Sequence, residues 1–92
     1  MNRGTLKKLA EQGKLVMVGA YHFDDLTGEK RICKELPVRV RQPGEDWHDW
    51  PEGICHLWAH DFKSKSGGAW ENPNGTITLI VHSNCNYTFR RI

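Results

Sequence analysis

The 92-residue chain has no run of about 18 apolar residues, so the sequence offers no helix expected to span a bilayer. Its basic start, Met1 to Lys8, is followed by no long apolar segment and no small-residue cleavage site, which argues against a secretory signal. Cysteine is sparse and odd in number. Cys33, Cys55 and Cys85 lie far apart, an arrangement expected of reduced cytosolic thiols rather than of a disulfide framework. There is no C-x-x-C pair, nucleophile elbow, phosphate-cradling glycine loop or Glu-flanked zinc motif. No internal repeat or linker divides the chain, and a single domain spanning residues 1–92 is expected. Lys and Arg are missing altogether between Gln42 and Phe62.

That last absence exposes the chain's charge pattern. The stretch from Gln42 to Phe62 holds five acids (Glu45, Asp46, Asp49, Glu52 and Asp61) and no base. Residues 1–41 carry nine bases against five acids, and residues 63–92 carry four bases against one acid. The net charge of +2 therefore hides a +4, −5, +3 alternation. The acidic block also concentrates aromatic and imidazole groups: Trp47, His48, Trp50, His56, Trp58 and His60. With 38% hydrophobic and 10% aromatic residues, the composition is that of a folded chain with a small core.

In chain order, Thr5 is placed to cap a short helix from Leu6 to Gln12, with Gly13 as its stop. Lys14 to Phe23 reads as a strand. Val16, Val18 and Ala20 would form one face, and Leu15, Met17, Tyr21 and Phe23 the other. Asp24 to Gly28 is a turn, and Glu29 to Arg41 returns as one long antiparallel partner. On that partner Ile32, Leu36, Val38 and Val40 share a face, and Arg31, Arg39 and Arg41 share the other. Pro37 cannot donate to a ladder, which places it at a sheet edge or a bulge. Ile54 to Phe62 reads as a further strand, residues 63–75 as a Gly-rich polar arm, and Thr76 to His82 and Tyr87 to Ile92 as the last two strands. The expectation is an α+β domain with an antiparallel sheet of about five strands and a short N-terminal helix.

Three kinds of chemistry compete for these residues. A metal site would draw on Cys55, His56 and His60, but on a strand the two histidines stand about 13 Å apart, too far for one ion. A catalytic pairing of Cys55 with His56 or His60 has no supporting motif, and Asp46 and Asp49 sit in a run that reads as a solvated acidic loop. Neither a metal or other cofactor nor an enzymatic reaction is expected. Binding remains, with two electrostatic handles. Arg31, Arg39 and Arg41, with Lys65 on the Gly-rich arm, suit phosphates, since arginine's planar fork matches phosphate oxygens. Trp47 and Trp50 amid Glu45, Asp46 and Asp49 have the composition of a protein-interface anchor. The bland alternatives are a charged solvent face on an edge strand and tryptophans folded into the core.

The chain also resembles the small phage-encoded anti-CRISPR proteins that inhibit the type I-F guide-RNA surveillance complex. The likeness lies in the length, the opening Met-Asn-Arg-Gly-Thr-Leu-Lys-Lys-Leu-Ala, the strand Lys-Leu-Val-Met-Val-Gly-Ala-Tyr-His-Phe and the Glu-Asp-Trp-His-Asp-Trp-Pro segment. Such inhibitors share no common fold or signature, so no residue role transfers by pattern. The resemblance implies a stoichiometric, non-catalytic binder in the cytoplasm of an infected bacterium, one that acts on no small-molecule substrate and no membrane. It implies contact with basic protein surface, for which Asp24, Asp25, Glu45, Asp46, Trp47 and Asp49 are the candidates. It also implies contact with guide RNA, for which Arg31, Arg39, Arg41 and Lys65 are the candidates. The alternative is a small phage protein that binds single-stranded nucleic acid directly, stacking bases on Tyr21, Phe23, Trp58, Tyr87 or Phe89.

Overall fold

A computed structural model of the chain describes residues 2–45, 53–63, 68–82 and 84–92, with the backbone alone at Asp24 and Lys63. The order is helix α1 (Arg3–Glu11), then strands β1 (Leu15–Asp24), β2 (Gly28–Ile32), β3 (Leu36–Arg41) and β4 (Cys55–Trp58). A 3₁₀ helix (Ala59–Lys63) follows, and then β5 (Ala69–Glu71), β6 (Ile77–His82) and β7 (Cys85–Arg91). Helix α1 begins three residues before the sequence suggested. Its cap is Asn2, whose side chain accepts a 2.7 Å hydrogen bond from the Thr5 N–H. At its other end Gly13 adopts φ +71°, and the Lys14 and Gly13 N–H groups donate to the Leu9 and Ala10 carbonyls, satisfying two otherwise orphaned acceptors. Leu6 and Ala10 are buried beneath the helix.

Among the described residues the sheet has seven strands, not five, and it is mixed. Its order is β4-β3-β1-β7-β6-β5, with β2 also on β1. Every pairing is antiparallel except β3 with β4, which run parallel with Val38 opposite Cys55 and Arg41 opposite Trp58. A parallel pair needs a crossover rather than a hairpin, here residues 42–54. The expected single return strand is interrupted. Between the Met17↔Leu36 and Ala20↔Ile32 pairs, β1 spans two residues and the returning chain three, so the return divides into β2 and β3. Pro37, second in β3, is paired with β1 alone, because the pairing with β4 starts one residue later, so its position is locally edge-like as expected.

A bulge in β1 against β7, between Met17 and Gly19, overturns the expected faces. Leu15 and Met17 point into the core before it, and Ala20 packs on the core after it. Tyr21 and Phe23 are thereby turned outward, and Phe23 is exposed. The expected strand from Ile54 to Phe62 ends at Trp58. There the Asp61 carboxylate reaches back to accept the Trp58 N–H at 2.9 Å, the geometry that starts a helical turn. The last two strands match their alternation: Ile77, Leu79 and Val81 are buried, as is Phe89. The supposed polar arm contains β5, paired with β6.

β3 is joined to β1 by only the Val16↔Pro37 and Met17↔Leu36 pairs, and beyond them the β3–β4 ribbon folds back over the core. Val38, Val40, Cys55 and Leu57 from this ribbon meet Ile77, Leu79, Cys85 and Phe89 in one cluster with Leu6, Ala10 and Phe62.

Candidate binding surface

The curl of the sheet decides which arginines face solvent. Arg31, on β2, is directly opposite Tyr21 and lies 5.4 Å from that ring's centroid. It is also ion-paired with Glu29, whose hydrogen bond and charge hold its pKa above the usual value. Arg39 is exposed on the outside of the β3–β4 ribbon, opposite His56. Because that ribbon folds over the core while β2 extends the other half of β1, the two arginines stand on different ribbons. Arg41 departs from the expected exposed trio. It is only 6% exposed, and its guanidinium carbon lies 4.3 Å from the Trp58 ring centroid. Cation–π stacking and burial make it part of the packing between β3 and β4. Arg90 adds a third exposed guanidinium, bonded to Glu35 at 3.0 Å.

Of the acidic candidates, Asp25 is exposed in the β1–β2 turn, Asp24 ends β1, and Glu45 is half-buried after β3. The acids thus sit on two separate connections. Asp46, Trp47, Asp49 and Lys65 lie outside the described residues.

The expected competitors fare differently. Alternation places Cys55 in the core and His56 on the opposite face, so the two do not form a pair. Burial pushes the Cys55 thiol up to about 12 and also raises the Cys85 thiol, so Cys55 is protonated at neutral pH and is a poor nucleophile. Among the described residues no group of three or more His, Cys, Asp or Glu side chains is placed to hold a metal ion. The base-stacking platform loses two of its rings: Phe89 is fully buried, and Tyr87 packs on the core, with its ring centroid 6.1 Å from that of Phe89. Burial also raises the Tyr87 hydroxyl pKa.

A cleft of about 610 Å³ was not foreseen. It is lined by His22, Trp58, His60, Asp61, Val81, His82, Cys85 and Tyr87. Trp58 and His60 stack with centroids 5.6 Å apart and planes 16° from parallel. They also line a second, apolar cleft of about 360 Å³ with Arg41, Pro43 and Ala59. The residues lining the larger cleft come from five separate elements, and the only hint in the sequence is the abundance of imidazole and indole groups near Asp61.

No protein-family model matches the chain, and neither a curated protein nor a solved structure shows significant similarity to it.

Proposed function

We infer that the chain is a stoichiometric protein inhibitor of the type I-F guide-RNA surveillance complex, acting without catalysis by blocking hybridisation of target DNA. The reading rests on the sequence resemblance. The structural observation that supports it best is the exposure of Arg31 and Arg39 on two separate ribbons of a small sheet. Guanidinium groups held this way suit the phosphates of a bound RNA, to which they add charge-assisted hydrogen bonds. Asp25 and Glu45, on connections between strands, are available to basic protein surface beside that RNA. Arg41 enters this reading as a support for the ribbon that presents Arg39.

Size-exclusion co-elution with purified type I-F surveillance complex, before and after adding target DNA, tests it. Co-elution that excludes the DNA is the expected result. Co-elution with DNA still bound would move the action to a later nuclease step. Absence of co-elution, with salt-sensitive binding to free oligonucleotides instead, would overturn the reading in favour of a single-stranded nucleic-acid binder.

A further inference from the structure

The 610 Å³ cleft has a specific electrostatic composition. Among the described residues lining it, Asp61 is the one formally charged side chain at neutral pH, with no Lys or Arg. That aspartate is 9% exposed. Its Oδ2 accepts the Trp58 N–H at 2.9 Å, while its Oδ1 lies 3.5 Å from His60 Nε2, too long for a strong hydrogen bond. A carboxylate has about four acceptor positions, and a buried one is costly unless they are used. The cleft therefore carries unspent acceptor capacity on an anion. It repels phosphate and carboxylate guests and attracts a cation that brings several donors.

The walls narrow the choice of cation. Trp58, His60 and Tyr87 line the cleft, and aromatic walls around a carboxylate favour a weakly hydrated cation over a strongly hydrated one. The Nδ1 of His82 accepts a hydrogen bond from the Asn84 N–H at 3.1 Å. Trp58 already carries a guanidinium within the molecule, that of Arg41 at 4.3 Å. Trp58 is thus stacked by Arg41 and by His60, and the ring left open to a planar guest is the exposed His60 imidazole beside Asp61.

We propose that this cleft is a receptor for an arginine side chain of a partner protein, with Asp61 accepting its N–H groups and the exposed His60 ring, backed by Trp58, flanking its guanidinium plane. The assignment goes beyond the surveillance-complex reading and does not depend on it, since it specifies the side chain received and not the protein that carries it.

The test is an NMR titration of the full chain with N-acetyl-arginine amide. The Trp58 indole N–H, assigned with a Trp58→Phe variant, is the reporter. Saturable shifts in the millimolar range are expected, as befits one side chain without its protein. N-acetyl-lysine amide should bind at least about fivefold more weakly, because its ammonium is more strongly hydrated and lacks the planar fork. N-acetyl-citrulline amide, the neutral isostere, should produce no saturable shift, and nor should inorganic phosphate. Asp61→Asn, which retains an oxygen to accept the Trp58 N–H, should weaken arginine binding about tenfold or more with an otherwise unchanged spectrum. Failure of the arginine probe to saturate by roughly 50 mM would overturn the proposal. So would equal binding of citrulline or lysine, or arginine affinity unchanged in a folded Asp61→Asn. The citrulline comparison uses the unaltered chain, so it decides the matter even if that variant fails to fold. Failure here leaves the co-elution result untouched, and failure of co-elution leaves this one untouched.

Discussion

The guanidinium of Arg41 lies over the indole of Trp58, 4.3 Å from its centroid, and the two residues are register partners on the parallel strands β3 and β4. This contact separates two arginines that are nearly equivalent in sequence. Arg39 is exposed two residues away, whereas Arg41 is 6% exposed. Arg41→Ala removes the stack and the burial of its aliphatic stem and should cost about 1–3 kcal/mol. Arg39→Ala should change stability by no more than about 0.5 kcal/mol. Urea unfolding of the two variants checks this, and equal midpoints would show that the Arg41 stack is not structural.

Asn2 caps α1 through the Thr5 N–H, so Asn2→Ala should cost about 1 kcal/mol. Thr5→Val, which keeps the backbone donor, should cost less, because the hydroxyl is not the capping group. The reverse order, read from thermal midpoints, would restore the cap to Thr5.

Leu57 is completely buried on β4, in the ribbon that closes over the core. Leu57→Ala should cost about 2–5 kcal/mol through lost transfer energy and a residual cavity. For a domain whose total stability is expected to be roughly 5–10 kcal/mol, that is a large fraction. A loss below about 1 kcal/mol in chemical denaturation would mean that the β3–β4 ribbon packs loosely.

The buried thiol sets an alkaline limit. Desolvation raises Cys55 from the ordinary 9.0 to about 12. The folded protein therefore keeps a proton that the unfolded chain releases first. The contribution is complete below pH 9 and is lost as pH rises from there toward 12, at up to about 1.4 kcal/mol per pH unit. Cys85 and Tyr87, also raised by burial, act with the same sign. Cys55→Ala should flatten the fall in urea midpoint between about pH 9 and pH 11. An identical slope in the variant would assign the alkaline loss to other groups.

The sequence carried the local structure better than the assembly. The alternation of Ile77, Leu79 and Val81 and the Asp24–Gly28 turn correspond to a strand and a hairpin, because each depends on near neighbours. The parallel pairing of β3 with β4 did not show. Alternation reports which side chains are buried, but not which strand lies alongside. Val18 reads as one more alternating valine, and only the facing strand β7 reveals the bulge beside it, which turns Tyr21 and Phe23 outward. In the candidate site, Arg31 and Arg39 are as exposed as their alternation suggested. Arg41 is not, because Trp58 covers it from a strand fourteen or more residues away. Asp61 counted only as one acid among five until its reach back to Trp58 placed it at the cleft wall.

The most direct test of the central claim is the affinity of the chain for the type I-F surveillance complex across a salt series, compared with an Arg31→Glu, Arg39→Glu double variant. Both positions are exposed, so the variant should fold normally. The account predicts stoichiometric binding by the unaltered chain. It predicts at least about tenfold weaker binding by the variant, with a salt slope shallower by about one to two phosphates. Unchanged affinity and salt slope in the folded variant, or no binding by the unaltered chain, would contradict it.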